Sequence, residues 1–365
     1  MKATRSLLVA APTLALALAP AATSYALERP HTRAEPGRYA APAPADRPFP
    51  VTGLATGDRP RIPYAVASSV DFLGGDWVLR HPDGSTLRLP TLTWSVWAPM
   101  GDGAIGMAGT EAGPELQRVS GTGAVRSRLI QHFGLAVSPD HEIVGWLGDR
   151  GSPRVVEGGG TRSSTIPRVG RGTVIASIEG PGTCQEQAPE GGGCTVFVNG
   201  RRHAWASTSH GLVDRVAPAL KVSDVSQRGR VAGLLSRRTD THRACWGVVR
   251  ADGHRVVRTC NYYLDTFSPD GRRVLGERSE TRWASVNRFA VFGRDGHVVR
   301  SWVFDPGRHR SLSQLTWEDS RHLLGVLHTR GRWGIVRIGT DGTVEYAGAT
   351  VAATDELTPF SLPLR

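Results

Sequence analysis

One short plan recurs along this chain, and it limits the possible folds more than any single motif does. The segments VSPDHEIVGWL (137–147), VSQRGRVAGLL (225–235), FSPDGRRVLGE (267–277) and WEDSRHLLGVL (317–327) share it. Each runs from an apolar residue through a polar corner into two small or apolar residues and a glycine. WAPMGDGAIGMAG (97–109) is a version with a longer corner. The recurring glycines are Gly106, Gly145, Gly233, Gly276 and Gly325. The gap between Gly145 and Gly233 is twice the usual step, so a weaker copy should lie between them. GTVIASIEG (172–180) fits there, with Ala176 and Ser177 in the glycine's place.

A second series runs in step with the first. Hairpin-turn signals occur at Asp83-Gly84, Gly121-Thr122-Gly123, Gly158-Gly159-Gly160, Asn199-Gly200, Asp252-Gly253, Asp295-Gly296 and Asp341-Gly342. Alternating or β-branched runs flank most of them, as in CTVFVNGRRHAW and GIVRIGTDGTVEYAG. Asn-Gly and Asp-Gly suit two-residue hairpins because both tolerate positive φ, which matches the strand twist. Two hairpins per period of about 43 residues give four short strands per unit. A four-stranded sheet cannot cover both its faces alone, so the units must pack face to face. Radial closure satisfies this and leaves only short edges. The expected fold class is therefore all-β, a β-propeller of four-stranded blades. Seven turns argue for seven blades, with six or eight as alternatives. Residues 61–70 (RIPYAVASSV) and 358–364 (TPFSLPL) are expected to meet and close the ring. The recurring small residue belongs on the second strand of each blade, where a larger side chain would overpack. Trp97, Phe267 and Trp317 share one repeat position with Val137 and Val225, which marks them as packing residues rather than a sugar-binding surface.

The block TFSPDGRRVLGERS with FAVFGRDGHVV, and less closely AVSPDHEIVGWLGD, resembles the Ser-Pro-Asp-Gly repeat of WD40-like, TolB-type propellers. The resemblance covers about three of seven repeats. It implies an exported bacterial propeller that acts through protein or ligand contacts on one face, and it implies no reaction.

Around this repeat the chain divides into three parts. Residues 1–26 read as a signal peptide: Lys2 and Arg5, the apolar run Leu7–Pro20, then Ser24-Tyr25-Ala26 as a cleavage signal. The run is too short and Pro-interrupted for a membrane span. Residues 27–60 are rich in Pro and Ala without apolar period and read as a disordered or extended linker. Residues 61–365 form a single propeller domain. Export fits the four cysteines, which should form two disulfides. Counting outward from Asp252-Gly253 pairs Val249 with Val256 and sets Cys245 opposite Cys260, within disulfide reach. Cys184 and Cys194 then close the loop CQEQAPEGGGC. No Cys-x-x-Cys spacing supports a metal site.

The formal charge of +11 would suit an anionic partner such as a cell-wall polymer. Only Lys2 and Lys221 among 44 cations are lysine, however, which is also what a GC-rich genome writes without functional pressure. No cofactor or metal signature is present, and there is no nucleophile elbow, His-Glu-x-x-His motif or phosphate-cradling loop. Nothing points to specific nucleic-acid binding. The candidate site is the set of loops joining second to third strands, expected on the upper face: GDRGSP (148–153), the 180–194 loop, SRRTDTHR (236–243), ERSETRWAS (277–285) and HTRGR (328–332). Arg150, Arg237, Arg238, Arg243, Arg278, Arg282, Arg330 and Arg332 would ring the opening, with His242 and Trp283 nearby. Convergent guanidinium groups suit carboxylate or phosphate recognition. The reading is a secreted, non-enzymatic propeller that binds a protein, peptide or anionic ligand. The alternatives are a lyase or hydrolase with a site in the central channel, which a buried cluster of His, Asp and Glu would favour, and a structural exported domain without a dedicated site.

Overall fold

The structure, a computed structural model, describes residues 45–67, 77–89, 94–130, 134–148, 151–157, 163–169, 174–179, 184, 193–237, 244–250, 253–278, 285–307, 309–352 and 358–364. Their strands form seven sheets arranged as a ring of blades. From inner to outer strand, blade 2 contains Trp94–Met100, Gly103–Thr110, Gly113–Val119 and Val125–Leu129, and blade 3 contains Leu135–Val137, Ile143–Leu147, Pro153–Glu157 and Ser163–Thr165. Blade 4 contains Val174–Glu179, Thr195–Asn199, Ala204–Thr208 and Val213–Arg215. Blade 5 contains Lys221–Val225, Val231–Arg237, Ala244–Val249 and Arg255–Thr259. Blade 6 contains Tyr263–Phe267, Val274–Arg278, Arg288–Phe292 and Val298–Val303, and blade 7 contains Arg310–Trp317, His322–Thr329, Arg332–Gly339 and Val344–Ala347. Blade 1 is built from both ends of the domain. Phe360–Ser361 is its inner strand, followed by Tyr64–Ala67, Trp77–Arg80 and Thr86–Arg88. This is the seven-bladed propeller that the repeat requires, sealed where residues near 65 and 360 pair.

The Ser-Pro-Asp-Gly corner is a turn. Ser268 Oγ donates to Asp270 Oδ1 at 2.7 Å and accepts from Arg273 N–H at 2.9 Å, while Gly271 takes φ +64°. Ser138 and Asp140 repeat the arrangement, with His141 in the positive-φ place at +62°. At Ser226 the serine again accepts, here from Arg230 N–H. A side chain that bonds its own backbone competes with regular structure and so fixes a corner.

Blades meet through apolar faces. Ala232, Val248 and Val257 of blade 5 pack on Leu264, Phe267, Val274 and Phe292 of blade 6. Ile143 and Val155 of blade 3 pack on Ile175, Ile178 and Val196 of blade 4. Each such side chain contributes about 1.5–3 kcal/mol by leaving water. Inside this shell a belt of hydrogen bonds links the inner strands from blade to blade. Ser177 Oγ accepts from Val225 N–H (3.1 Å), Asp224 Oδ2 from Phe267 N–H (2.7 Å), the Thr266 carbonyl from Trp317 Nε1 (3.1 Å), and Ser361 Oγ from Trp97 Nε1 (2.9 Å). Trp97, Phe267, Trp317, Val137 and Val225 are all buried on inner strands, as their shared repeat position suggested. Gln314 of blade 7 adds a clamp at the seam: it accepts from Leu362 N–H at 2.8 Å and donates to the Phe360 carbonyl at 3.3 Å.

The structure amends several readings. The end of the Pro-rich segment is extended and ordered. Arg47–Pro48 adds a parallel strand to the outer edge of blade 6, and Thr56–Gly57 does the same on blade 7. Phe49 is buried between them, with ring centroids 5.8 Å from Phe304 and 6.0 Å from Phe289. Proline is tolerated because an edge strand can do without one donor, and one well-placed aromatic outweighs the poor average composition. In blade 4, residues 174–179 form the inner strand rather than the second. Ser177 pairs with Phe197 across the ladder, so the small residue and the bulky one have exchanged strands. Asn199-Gly200 consequently joins the second and third strands of blade 4. Its outer hairpin turns at Ser209–Gly211, with Gly211 at φ +91°. The small residue on the second strand also has mixed causes. A Cβ on Gly145 would meet Ile175 and Ile178 of the next blade at 2.8 Å, whereas on Gly233 it would strike the Lys221 carbonyl of its own sheet.

Candidate functional site at the seam of blades 5 and 6

Strand order fixes which connections share a face. Second-to-third connections leave the ring on one side, here the upper face, and first-to-second and third-to-fourth connections leave on the other. Arg237 ends the second strand of blade 5, Arg278 that of blade 6, and Arg330 and Arg332 flank the tight turn of blade 7. All four are exposed, and Arg332 Nε donates to Thr350 Oγ1 at 3.0 Å. Arg150, Arg238, His242, Arg243, Arg282 and Trp283 lie outside the described residues. The 180–194 loop does not belong with this set. It joins the first and second strands of blade 4 and so emerges on the lower face. Reading residues 172–180 one strand too far out caused that misplacement.

Both disulfides form as paired from the spacing, with Cα–Cα distances of 4.8 Å for Cys184–Cys194 and 4.0 Å for Cys245–Cys260. In blade 5 the ladder pairs Trp246 with Thr259, which extends to Cys245 opposite Cys260. Val249 faces Arg255 rather than Val256 because a bulge intervenes near the turn. Cys245–Cys260 sits at the upper end of blade 5 and braces two aromatics. Trp246 follows Cys245, and Tyr263 lies three residues beyond Cys260. Their rings meet edge-on at 4.4 Å across the seam of blades 5 and 6. Tyr263 remains 41% exposed, the one large aromatic among the exposed hydrophobics described.

Beside this pair lie two carboxyls, Asp265 and Glu277. Tyr263 O–H donates to Asp265 two residues along, and Glu277 faces Tyr263 across the ladder. Burial raises the Asp265 carboxyl above its ordinary range. It raises Glu277 as well, and the nearby charge of Asp265 adds to that. Among the described residues no cation is paired with either. Removing a carboxylate from water without a cation favours its neutral form. Glu277 can therefore hold a proton near neutrality and offer an O–H donor beside an ionised acceptor. The ring is exposed, but desolvation of the hydroxyl end and the neighbouring acids push Tyr263 up, so its hydroxyl stays protonated.

Deeper in the channel, Asp224 is fully engaged. It accepts from Ser177 Oγ (3.0 Å), Val225 N–H (2.7 Å) and Phe267 N–H (2.7 Å). Burial still lifts it to about 7, the three donors acting against that rise. The void below it, between the corners at Pro139, Gln227 and Pro269, holds only about 10 Å³. Asp224 thus ties strands together at a closed floor. On blade 7 the acids Glu318 and Asp319 lie with His322 within cation-binding distance of one another. Both oxygens of Glu318 are nevertheless taken, by Arg337 Nε and Nη2 and by Arg61 N–H. That donor set serves the arginine. The sequence concealed the Tyr263 cluster because its acids lie on two strands that only the ladder brings together. The nearest signal was the adjacency of Cys245 to Trp246 and of Cys260 to the Asn-Tyr-Tyr run.

No protein-family model matches the chain, and no curated protein sequence matches it. Solved propellers resemble it in shape. The β-propeller domain of the trilobed protease from Pyrococcus furiosus aligns at TM-score 0.50 and 12% identity, covering 84% of this chain and 100% of that one. YCF48, solved bound to D1 peptide, aligns at 0.46 and 13%, covering 80% and 87%. The Cps50 (Swd1) propeller domain of Myceliophteria thermophila aligns at 0.45 and 11%, covering 80% and 100%. At such identities the likeness concerns the fold alone, and the strand order is that of a seven-bladed β-propeller. Its two disulfides point to an oxidising, extracytoplasmic setting. Among the described residues no helix is long and apolar enough to cross a membrane.

Proposed function

We propose that the protein is an exported, TolB-type propeller that binds a peptide or protein segment across the upper face, centred on the seam of blades 5 and 6. The observation that carries this reading is the exposed Tyr263 ring, backed by Trp246 and braced by a disulfide, with the exposed Arg237 and Arg278 ending the second strands of blades 5 and 6 on the same face. Tyr, Trp and Arg are the residue types that dominate binding hot spots, and a rigid aromatic loses little entropy when it docks. The arginines suit acidic groups of a partner. Asp265 and protonated Glu277 suit amide or basic groups of a partner docked beside Tyr263. The test is selection of binders from a displayed random-peptide library. Selected peptides should weaken at least 10-fold on Tyr263→Ala, and combined replacement of Arg237, Arg238 and Arg243 by Ala should weaken them and reduce the salt dependence. Unchanged affinity in both variants contradicts the reading.

The raised Asp265–Glu277 pair favours one second reading, a hydrolase or lyase in which protonated Glu277 serves as acid and Asp265 as base. In that case Glu277→Gln abolishes turnover of a reporter glycoside or peptide while peptide binding survives.

A further inference from the structure

The outer rim of the ring presents strand edges, and two of them already hold extended chain. Arg47–Pro48 lies along blade 6, where Phe49 N–H bonds the Val303 carbonyl at 2.8 Å. Thr56–Gly57 lies along blade 7, where Tyr346 N–H bonds the Ala55 carbonyl at 2.8 Å. The rim of this propeller therefore accepts an added strand. Val125–Leu129, the outer strand of blade 2, is the end of its sheet among the described residues. All 5 of its residues are exposed, Val125 by 51% and Leu129 by 56%.

The ladder register shows what this edge offers. Ser120 N–H bonds the Ala124 carbonyl at 3.0 Å, and Ile130 N–H bonds the Pro114 carbonyl at 2.9 Å. Between these two ends Leu116 pairs with Arg128 and Arg118 with Arg126. Bonded and non-bonded pairs alternate along an antiparallel ladder, so Arg126 and Arg128 turn their main-chain groups inward, to the strand Gly113–Val119. Val125, Ser127 and Leu129 turn theirs outward, as a row of N–H donors and carbonyl acceptors in extended geometry. Side chains alternate too: Val125, Ser127 and Leu129 lie on one face of the sheet, Arg126 and Arg128 on the other. Among the described residues no carboxylate is paired with either arginine.

A strand laid along this edge sets every second residue beside a guanidinium. Opposite charges facing each other across a ladder stabilise it and like charges destabilise it. This disfavours a second copy of the chain, because antiparallel pairing about Ser127 would set Arg126 of each copy against Arg128 of the other. We propose that the outer edge of blade 2 takes an extended segment of a protein partner by strand addition, a segment in which acidic residues alternate with apolar ones. The inference is independent of the peptide-binding reading, since it shares no residue with the Tyr263 surface.

Calorimetric titration of the full chain with the end-capped peptide Gly-Val-Glu-Thr-Glu-Val-Gly tests it. The peptide should bind with a Kd of about 1 mM or tighter. The same peptide with Lys for both Glu, or with Pro for Thr, should bind at least 10-fold more weakly, the first for its charge and the second for its lost strand geometry. In the double variant Arg126→Glu with Arg128→Glu, at exposed positions that leave the ladder intact, the preference should invert in favour of the Lys peptide. Ser127→Pro removes an outward N–H and no bond to Gly113–Val119, and should also cost at least 10-fold. Tyr263→Ala should leave the Glu peptide unaffected, while peptides selected on the upper face bind the blade 2 variants as before. No binding of the Glu peptide, equal binding of the Lys or Pro peptide, an unchanged preference in the double variant, or weakening by Tyr263→Ala would overturn the proposal.

Discussion

Blade 7 and the seam of blades 5 and 6 both take carboxyl groups out of water, and they handle the cost in opposite ways. In blade 7, Glu318 is wholly buried, but Arg337 grips it with two nitrogens and reaches Glu345 with a third at 2.6 Å. The remaining Arg337 donors satisfy the carbonyls of Asp58 and Arg59, and both carboxylates hold the guanidinium protonated. Every charge has a partner, and the network fastens residues 58–61 to the ring. At the seam, among the described residues, Asp265 has the Tyr263 hydroxyl and Glu277 the nearby charge of Asp265, with no cation paired to either. A satisfied network rigidifies, whereas an unsatisfied one keeps bonding capacity for something else. That difference distinguishes the structural acids of this ring from the candidate functional ones.

The comparison breaks most sharply at Arg337. Arg337→Met strands Glu318 in the interior and should destabilise the domain by about 3–5 kcal/mol in urea unfolding, since removing one partner leaves an uncompensated charge. A loss below about 1 kcal/mol would mean the network is not structural. Asp224→Ala comes next. It takes the acceptor from the Phe267 amide and from the Ser177 O–H, while Val225 N–H keeps Ser177 Oγ, at a cost of about 1–3 kcal/mol, with faster hydrogen exchange at the Phe267 amide as its signature.

pH sharpens the contrast. An acid whose folded pKa is raised binds more protons in the folded chain, so its contribution is complete below its unfolded pKa and is lost as pH rises through the folded value. For Asp224 that window runs from about 4 up to about 7. Asp265 and Glu277 act in the same direction. Stability should therefore fall as pH rises from 5 to 9. Glu277→Gln should recover about 1 kcal/mol at pH 9 and almost nothing at pH 4. A stability that rises across this range contradicts the assignment. The smallest effect belongs to Tyr263→Phe, which removes one donor from Asp265 and should change stability by less than about 1 kcal/mol while weakening a selected peptide.

The two regions also differ in how openly the sequence announces them. The turns at 138–141, 226–229 and 268–271 bond within themselves, so local pattern alone reveals them, and seven such periods lead to seven blades. The count survived the misplacement in blade 4 because Asn199-Gly200 still lies in that blade. Asn199 itself does more than turn: its side chain pairs with both the N–H and the carbonyl of Val222 at 2.7 Å, locking blade 4 to blade 5. Contacts of that kind escape a linear reading, as do Glu318 with Arg337 and Tyr263 with Glu277, because long-range register creates them. The cysteines were an exception. A hairpin's register follows from its turn, so Cys245 and Cys260 could be paired by counting, and the bulge near Val249 shifted only the end close to the turn.

The most direct test of the central claim is a crystal structure of the chain with a peptide selected from a displayed library. The account predicts peptide density lying over Tyr263 between Arg237 and Arg278, with a polar group of the peptide bonded to Asp265 or Glu277. Density on the lower face, at the corners around Pro139 and Pro269, with the Tyr263 cluster untouched, would contradict it.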